Sequence, residues 1–215
     1  MAVATDARPE QVSVLFGHAL LVGAQFGVVV VPYGSHRYEV STFRAEGPYL
    51  DGRRPSRVEF VSAEADVARR DFTINGLLRD PLSGRTIDHV GGRADIARRI
   101  VRTIGRPKDR FAEDHLRMLR AVRLAAELEF TVDPATFAAI RALAPGLRRV
   151  SAERVRDELV RVVTAPGRGR GVQLLHESGL LTEILPEVAA LAGVEQPREF
   201  HPEGDVFTHT VLALE

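Results

Sequence analysis

Residues 113–128 read EDHLRMLRAVRLAAEL. Set out at about 100° per residue, this stretch decides the character of the second half of the chain. Leu116, Met118, Leu119, Val122 and Ala126 fall on one side, Glu113, Asp114, Arg117 and Arg120 on the other, and Arg123 at the margin. The spacing predicts one amphipathic helix from Phe111 to Leu128, its apolar stripe resting on a core. Downstream, Pro134–Leu143, Ala152–Thr164 and Gly171–Ser178 read as further helices, and upstream so does Arg93–Arg99, with Gly, Pro or Ser at each junction. Everything after Gly92 is therefore expected to be helical.

Before Gly92 the pattern differs. Phe26–Tyr33 (FGVVVVPY) is a β-branched run too short for an ordinary helix, and Tyr38–Arg44 alternates polar and apolar residues after Gly34-Ser35. The two predict a hairpin, with Arg57–Val61 as a third strand. Between them lies a polar loop, Ala45–Ser56, broken by Gly47, Pro48, Gly52 and Pro55. Ser62 is placed to cap a helix over Ala63–Arg70, and Gly76–Leu78 with Arg85–His89 predicts a small hairpin around Asp80–Gly84. Gly91-Gly92 reads as a hinge. The expected fold class is α+β: a mixed-sheet head followed by an all-helical neck and body.

Composition narrows the function classes. The chain has 215 residues, 45% hydrophobic and 27% charged, with no cysteine. A packed core is expected, and disulfides, thiolate metal sites and cysteine nucleophiles are excluded. No run of about 18 apolar residues occurs, and Asp6 and Arg8 stand where a leader sequence would be basic and then apolar. The reading is cytoplasmic, with no membrane partner. Lysine and arginine total 29, as do aspartate and glutamate. Charge is uneven, however: from Arg93 to Arg123 ten basic residues meet four acidic ones. A local surplus of this kind suits phosphate binding, and equally suits a solvated helical surface.

On a continuous helix, Asp114 and Arg117 at i and i+3 set an acceptor beside a donor fork. Cytosine and adenine each offer an amino donor next to a ring-nitrogen acceptor, so such a pair would accept C and A and refuse U and G. Alone, the same spacing is an ordinary intrahelical ion pair of about 0.2–0.5 kcal/mol. It has company in Arg69–Asn75 (RRDFTIN), where Arg70, Asp71 and Asn75 lie within one helical turn, able to meet a triphosphate and a ribose hydroxyl.

RRDFTIN, Asp88–Ile96 (DHVGGRADI), Arg110–Arg123 (RFAEDHLRMLRAVR) and Val150–Val155 (VSAERV), in this order and spacing, closely resemble the class II tRNA nucleotidyltransferase and bacterial poly(A) polymerase family. Ala4–Val12, Tyr38–Gly47 and Arg53–Phe60 are similar to pieces of that family's polymerase-beta-like head. The resemblance implies a head over 1–90, a helical neck with a base-reading helix over 91–150, an RNA-binding body over 151–199 and the opening of an HD-type domain over 200–215. It implies template-independent addition of C and A from CTP and ATP to tRNA 3′ ends. Residue by residue, it implies that Arg70 contacts the incoming nucleotide and that Asp71 and Asn75 lie by its sugar. Asp114 and Arg117 read the base edge, Arg120 and Arg123 continue the nucleotide-binding face, and Glu113 supports it. Gly76 stands where the family usually has Ala.

The resemblance also implies Mg²⁺, held by an Asp-x-Asp pair just before the dipeptide that is here Ala4-Thr5. Ala2 takes the place of the second acid and the first would precede Met1, so the metal ligands are not found in this chain, which reads as cut short at both ends. Asp6, Glu39 and Glu59 are scattered acids, expected on solvated strand faces. His201 and His209 are candidate metal ligands, but no His-Asp pair accompanies them, and they are expected as surface residues. Two alternatives stay open: poly(A) addition by the same family, and a non-catalytic RNA- or nucleotide-binding module.

Overall fold

The computed structural model describes residues 2–46, 58–197 and 199–215. Most of the expected polar loop, 47–57, lies outside the described residues. Contacts divide the chain into two compact units, Met1–Arg70 and Asp71–Glu215. The boundary comes about twenty residues before the expected head–neck junction, because Phe72 is wholly buried in the apolar cluster of the second unit.

The first unit holds β1 (Ala2–Thr5), α1 (Pro9–Leu15), β2 (Val28–Tyr33), β3 (His36–Thr42), β4 (Arg44–Glu46), β5 (Val58–Phe60) and α2 (Ala63–Ala68). β2 and β3 form the expected hairpin, with Tyr33 opposite His36 across the two-residue turn. Gly34 takes φ +59° there, a conformation that glycine adopts without strain. Val29 and Val31 point inward from β2 onto Val12 of α1. The third strand does not extend this hairpin. β3 is central, flanked by β2 and by β1, which pairs in parallel; with both edges of β3 taken, β5 pairs with β4 in a separate ladder. α2 starts as expected, the Ser62 hydroxyl accepting from Ala65 N.

The second unit opens with a single 3-10 turn at Thr73–Asn75 and the hairpin β6 (Leu77–Arg79) and β7 (Thr86–Asp88). The expected hinge is instead a fastened helix start. Asp88 accepts from the N–H groups of Val90, Gly91, Gly92 and Arg93, which caps α3 (Gly92–Arg98). A Cβ on Gly92 would lie 2.2 Å from the Thr73 carbonyl oxygen, so glycine here permits close packing.

β8 (Ile100–Val101), α4 (Pro107–Glu113), α5 (Leu116–Leu128) and β9 (Thr131–Val132) follow. Two expectations are corrected in this stretch. The region is not wholly helical: β8 and β9 pair in parallel, because Arg99 and Glu129 end their helices at positive φ and send both chains out extended. Nor is Phe111–Leu128 one helix. Asp114 is extended (φ −149°, ψ 107°) and separates α4 from α5. Phe111 and Leu116 are both buried in one core, yet on a continuous helix they would point about 140° apart. The break lets both reach it.

The remaining helices are α6 (Pro134–Leu143), α7 (Ala152–Val163), α8 (Arg168–Glu177), α9 (Leu180–Ile184), α10 (Pro186–Ala189) and α11 (Val206–Leu214), with a 3-10 segment at Ala144–Arg149. α5 supplies much of the core and packs on α7 and α8. A Cβ on Gly171 of α8 would come within 2.7 Å of Val162 and 3.0 Å of Ala126; only the missing side chain lets the three helices meet.

Candidate nucleotide-binding site

In the first unit, Asp66 of α2 is buried and organises the basic end of its helix. One carboxylate oxygen accepts from Arg44 N (3.1 Å) and Arg69 Nη2 (2.7 Å), the other from Arg70 Nη2 (3.0 Å). Burial pushes its pKa up, but the Arg44 amide and the Arg69 and Arg70 guanidiniums outweigh this and hold it below the usual carboxylate range. Arg70, expected at the nucleotide, is thus anchored on a buried acid one turn earlier in the sequence.

In the second unit, Asp71, Asn75 and Arg120 come together. The Asp71 Oδ1 atom accepts from Phe72 N (2.8 Å) and Asn75 Nδ2 (3.0 Å), while Oδ2 accepts from Arg120 Nε (2.9 Å) and Nη2 (2.6 Å). Burial raises the Asp71 pKa, and the Arg120 charge with these hydrogen bonds brings it below the ordinary value. Burial opposes the charge on Arg120 likewise, yet Asp71 raises its pKa on balance. Both directions describe an ionised pair in which two guanidinium nitrogens converge on one carboxylate oxygen.

At the α4–α5 break, Asp114 and Arg117 are near in sequence but joined to different residues. The Asp114 Oδ1 atom accepts from Leu116 N (3.0 Å) and Oδ2 from Arg154 Nη2 of α7 (2.8 Å). Arg117 Nη1 donates to Glu113 Oε2 (2.5 Å), which also accepts from Arg110 Nη1 (3.0 Å), and to the Arg110 carbonyl. The intrahelical ion pair that the spacing alone would give is not formed; Asp114 and Arg117 are two separately held groups, an acceptor and a donor fork, each oriented by a neighbour. Glu113, expected from the resemblance to support the nucleotide-binding face, holds both Arg110 and Arg117.

Arg123 differs from expectation. It is 5% exposed and donates to Glu158 of α7 and to Glu127, because the α5–α7 contact closes over the margin of the polar face. Sequence reasoning missed Asp66 and Arg154. The signal for Arg154 was within reach, in the VSAERV segment that carries part of the resemblance. His115, between the two helices, was also missed. Its Nδ1 atom is buried without a partner among the described residues, and its ring rests on Gly146, where a Cβ would approach within 2.6 Å. Burial first, and the nearby Arg149 second, lower its pKa, which keeps the ring neutral.

Comparison with known proteins adds independent findings. Residues 1–102 match the model of the poly A polymerase head domain, and residues 129–191 that of the probable RNA- and SrmB-binding site of polymerase A. The CCA-adding enzyme of Bacillus licheniformis is 43% identical over 183 residues, covering 85% of this chain and 46% of the relative. That of Geobacillus stearothermophilus is 45% identical over 195 residues, covering 90% and 47%. The chain thus spans about half the length of the curated relatives it matches. Among solved structures, the Bacillus stearothermophilus CCA-adding enzyme in complex with CTP superposes with a TM-score of 0.75 at 43% identity, over 82% of this chain and 42% of that one. A tRNA nucleotidyltransferase complexed with a primer tRNA and an ATP analogue shares the fold, with a TM-score of 0.68 at 22% identity over 93% of this chain and 56% of that one.

Proposed function

The chain belongs to the poly(A) polymerase head-domain family that includes the CCA-adding enzymes, and from that premise we propose that it selects CTP and ATP for template-independent addition to tRNA 3′ ends. The observation that carries this reading is the pair of separately anchored groups at the α4–α5 break. Asp114 offers an acceptor for the exocyclic amine of cytosine or adenine, and Arg117 a donor for the ring nitrogen beside it. Neither is consumed by the other, because Glu113 and Arg154 hold them apart.

In this reading Arg120, steadied by Asp71, meets the phosphates; Arg70, steadied by Asp66 in the other unit, is the residue that the resemblance assigns to the incoming nucleotide. Asp71 and Asn75 meet the sugar. The basic surplus from Arg93 onward and the segment matching the RNA-binding model support an RNA 3′ end as the second substrate. No helix among the described residues is long and apolar enough to cross a membrane, and the cytoplasm is the compartment proposed. Arg123 is assigned to the α5–α7 interface rather than to the nucleotide.

The Mg²⁺ pair implied by the family does not fit the described part of the sheet. Ala2 lies opposite Glu39 on β3, Asp6 and Glu39 are exposed, and the described residues of Met1–Arg70 contain no group of three acids or histidines close enough to share an ion. The chain's own residues thus account for binding, orientation and base choice.

Nucleotide binding is the direct test. Calorimetric titration is expected to show CTP and ATP bound at least about tenfold more tightly than UTP and GTP, the equivalent of about 1.4 kcal/mol. Asp114→Ala is expected to bring the four nucleotides together while leaving the affinity for a tRNA lacking its 3′ end within about twofold. Unchanged discrimination in that variant removes the base-reading assignment.

A further inference from the structure

His115 stands between the two base-reading residues and makes no hydrogen bond with either side chain. It occupies the position just before the first turn of α5, where serine, threonine, asparagine or aspartate ordinarily turns its side chain back to cap the helix, yet its imidazole makes no such cap. Asp114 caps from one residue earlier, its Oδ1 atom accepting from Leu116 N (3.0 Å). The imidazole lies instead against Gly146 of the 3-10 segment. A Cβ there would come within 2.6 Å of Cε1 and 2.7 Å of Nδ1, so the absence of a side chain at Gly146 gives the ring its seat. The seat is firm, because Ala144 and Leu147, on either side of Gly146 in sequence, are buried in the main apolar cluster. Nδ1 is enclosed without a partner among the described residues, which costs free energy. Ring shape, not a hydrogen bond, accounts for the placement.

The ring and Leu116, buried in the same cluster, hold the first turn of α5 on two consecutive residues. Both readers depend on that turn. The Asp114 carbonyl accepts from Arg117 N and the His115 carbonyl from Met118 N, each at 3.1 Å, and Leu116 N orients the Asp114 carboxylate. We propose that His115 is a positioning residue for base choice, its ring against Gly146 fixing the spacing between the Asp114 carboxylate and the Arg117 guanidinium. This rests on the base-reading assignment of that pair and adds a residue that acts through it. Acid opposes the seat. An imidazolium needs an acceptor for each N–H, and Nδ1 has none. Burial, then Arg149 at the end of the same 3-10 segment, lower the ring's pKa, and Asp114, which raises it, does not restore the ordinary value. A lowered value in the folded state means that the seat contributes fully above about pH 6.5 and weakens as pH falls below it.

The test compares CTP and UTP affinities by calorimetric titration of the full chain, with inorganic tripolyphosphate as a probe of phosphate binding alone. His115→Ser supplies a capping hydroxyl but empties the seat, and Gly146→Ala blocks the seat from the other side. Each is expected to reduce the preference for CTP about fivefold or more while tripolyphosphate affinity stays within about twofold of wild type, which also shows that the variants fold. His115→Phe refills the seat with a ring that does not titrate. It should keep its preference for CTP between about pH 7.5 and about pH 5.5, where wild type loses part of its own. Wild-type preference in both His115→Ser and Gly146→Ala, equal losses for CTP and tripolyphosphate, or an acid loss that His115→Phe shares overturns the proposal. If Asp114→Ala abolishes the preference while His115→Ser and Gly146→Ala keep it, only the role of His115 falls; if Asp114→Ala keeps it, the base-reading assignment falls too.

Discussion

In the unit Met1–Arg70 the described apolar cluster consists of Val12, Val29 and Val31 with a few half-buried neighbours, while Val14 is 87%, Leu15 75%, Val22 75% and Tyr33 71% exposed. In Asp71–Glu215, twenty-two described hydrophobic residues are buried in one cluster. The difference teaches that the two units position their charged residues by different means. Arg70 is held through a buried acid that gathers nearby cations and an amide, a polar arrangement on a thin core. Arg117 and Arg120 also have acidic partners, Glu113 and Asp71, but they ride on α5, whose other face is locked among apolar side chains, so packing fixes the helix that presents them.

The sharpest way to break this contrast is to empty each core. Phe111→Ala is expected to destabilise the chain by about 3–5 kcal/mol, and Val29→Ala by about 1–2 kcal/mol, both measured by urea unfolding. Equal costs would mean that the first unit is packed as firmly as the second. An effect comparable to that of Val29→Ala is expected from Asp71→Asn, about 1–2 kcal/mol at neutral pH, because Arg120 is partly solvated and the pair is screened. Its pH dependence has a definite sign. Asp71 has a lowered pKa in the folded state, so its contribution is complete above the unfolded value near 3.9 and is lost as pH falls through the folded one. The gap between wild type and variant should therefore be constant from about pH 7 to 5 and shrink below about pH 4; a gap that widens in acid would contradict the ionised pair. The smallest effect is expected at Asp66→Asn. The amide can still accept from Arg44 N, but it no longer neutralises Arg69 and Arg70, and CTP affinity should fall a few-fold, about 1 kcal/mol, with little change in base preference. A shift in preference would show that the first unit also reads the base.

Where local sequence decides structure, the reading succeeded. Pro134–Leu143 is helical to the residue, since a proline at the first position and the Asp133 cap act within a few residues. The Val28–Tyr33 strand and its turn follow from β-branching and glycine. Where distant residues decide, it failed. The break at Asp114 answers to Arg154, and the parallel β1 and the β8–β9 ladder depend on partners about thirty or more residues away. Site chemistry followed the same division. The residue types in RRDFTIN and around Asp114 were legible, but which carboxylate held which guanidinium was not, because periodicity assigns faces and tertiary contact assigns partners. His201 and His209 could be noticed in the sequence, whereas Glu203 meets both only in the fold.

The hydrogen bond from Arg154 to Asp114 joins residues forty positions apart. On a ribosome working at about 5–20 residues per second, the acidic member emerges about 2–8 s before the arginine that orients it. A newborn chain therefore possesses the residues proposed to contact the base before it possesses their alignment, and nascent protein stalled within that interval is expected to hold nucleotides without distinguishing among them.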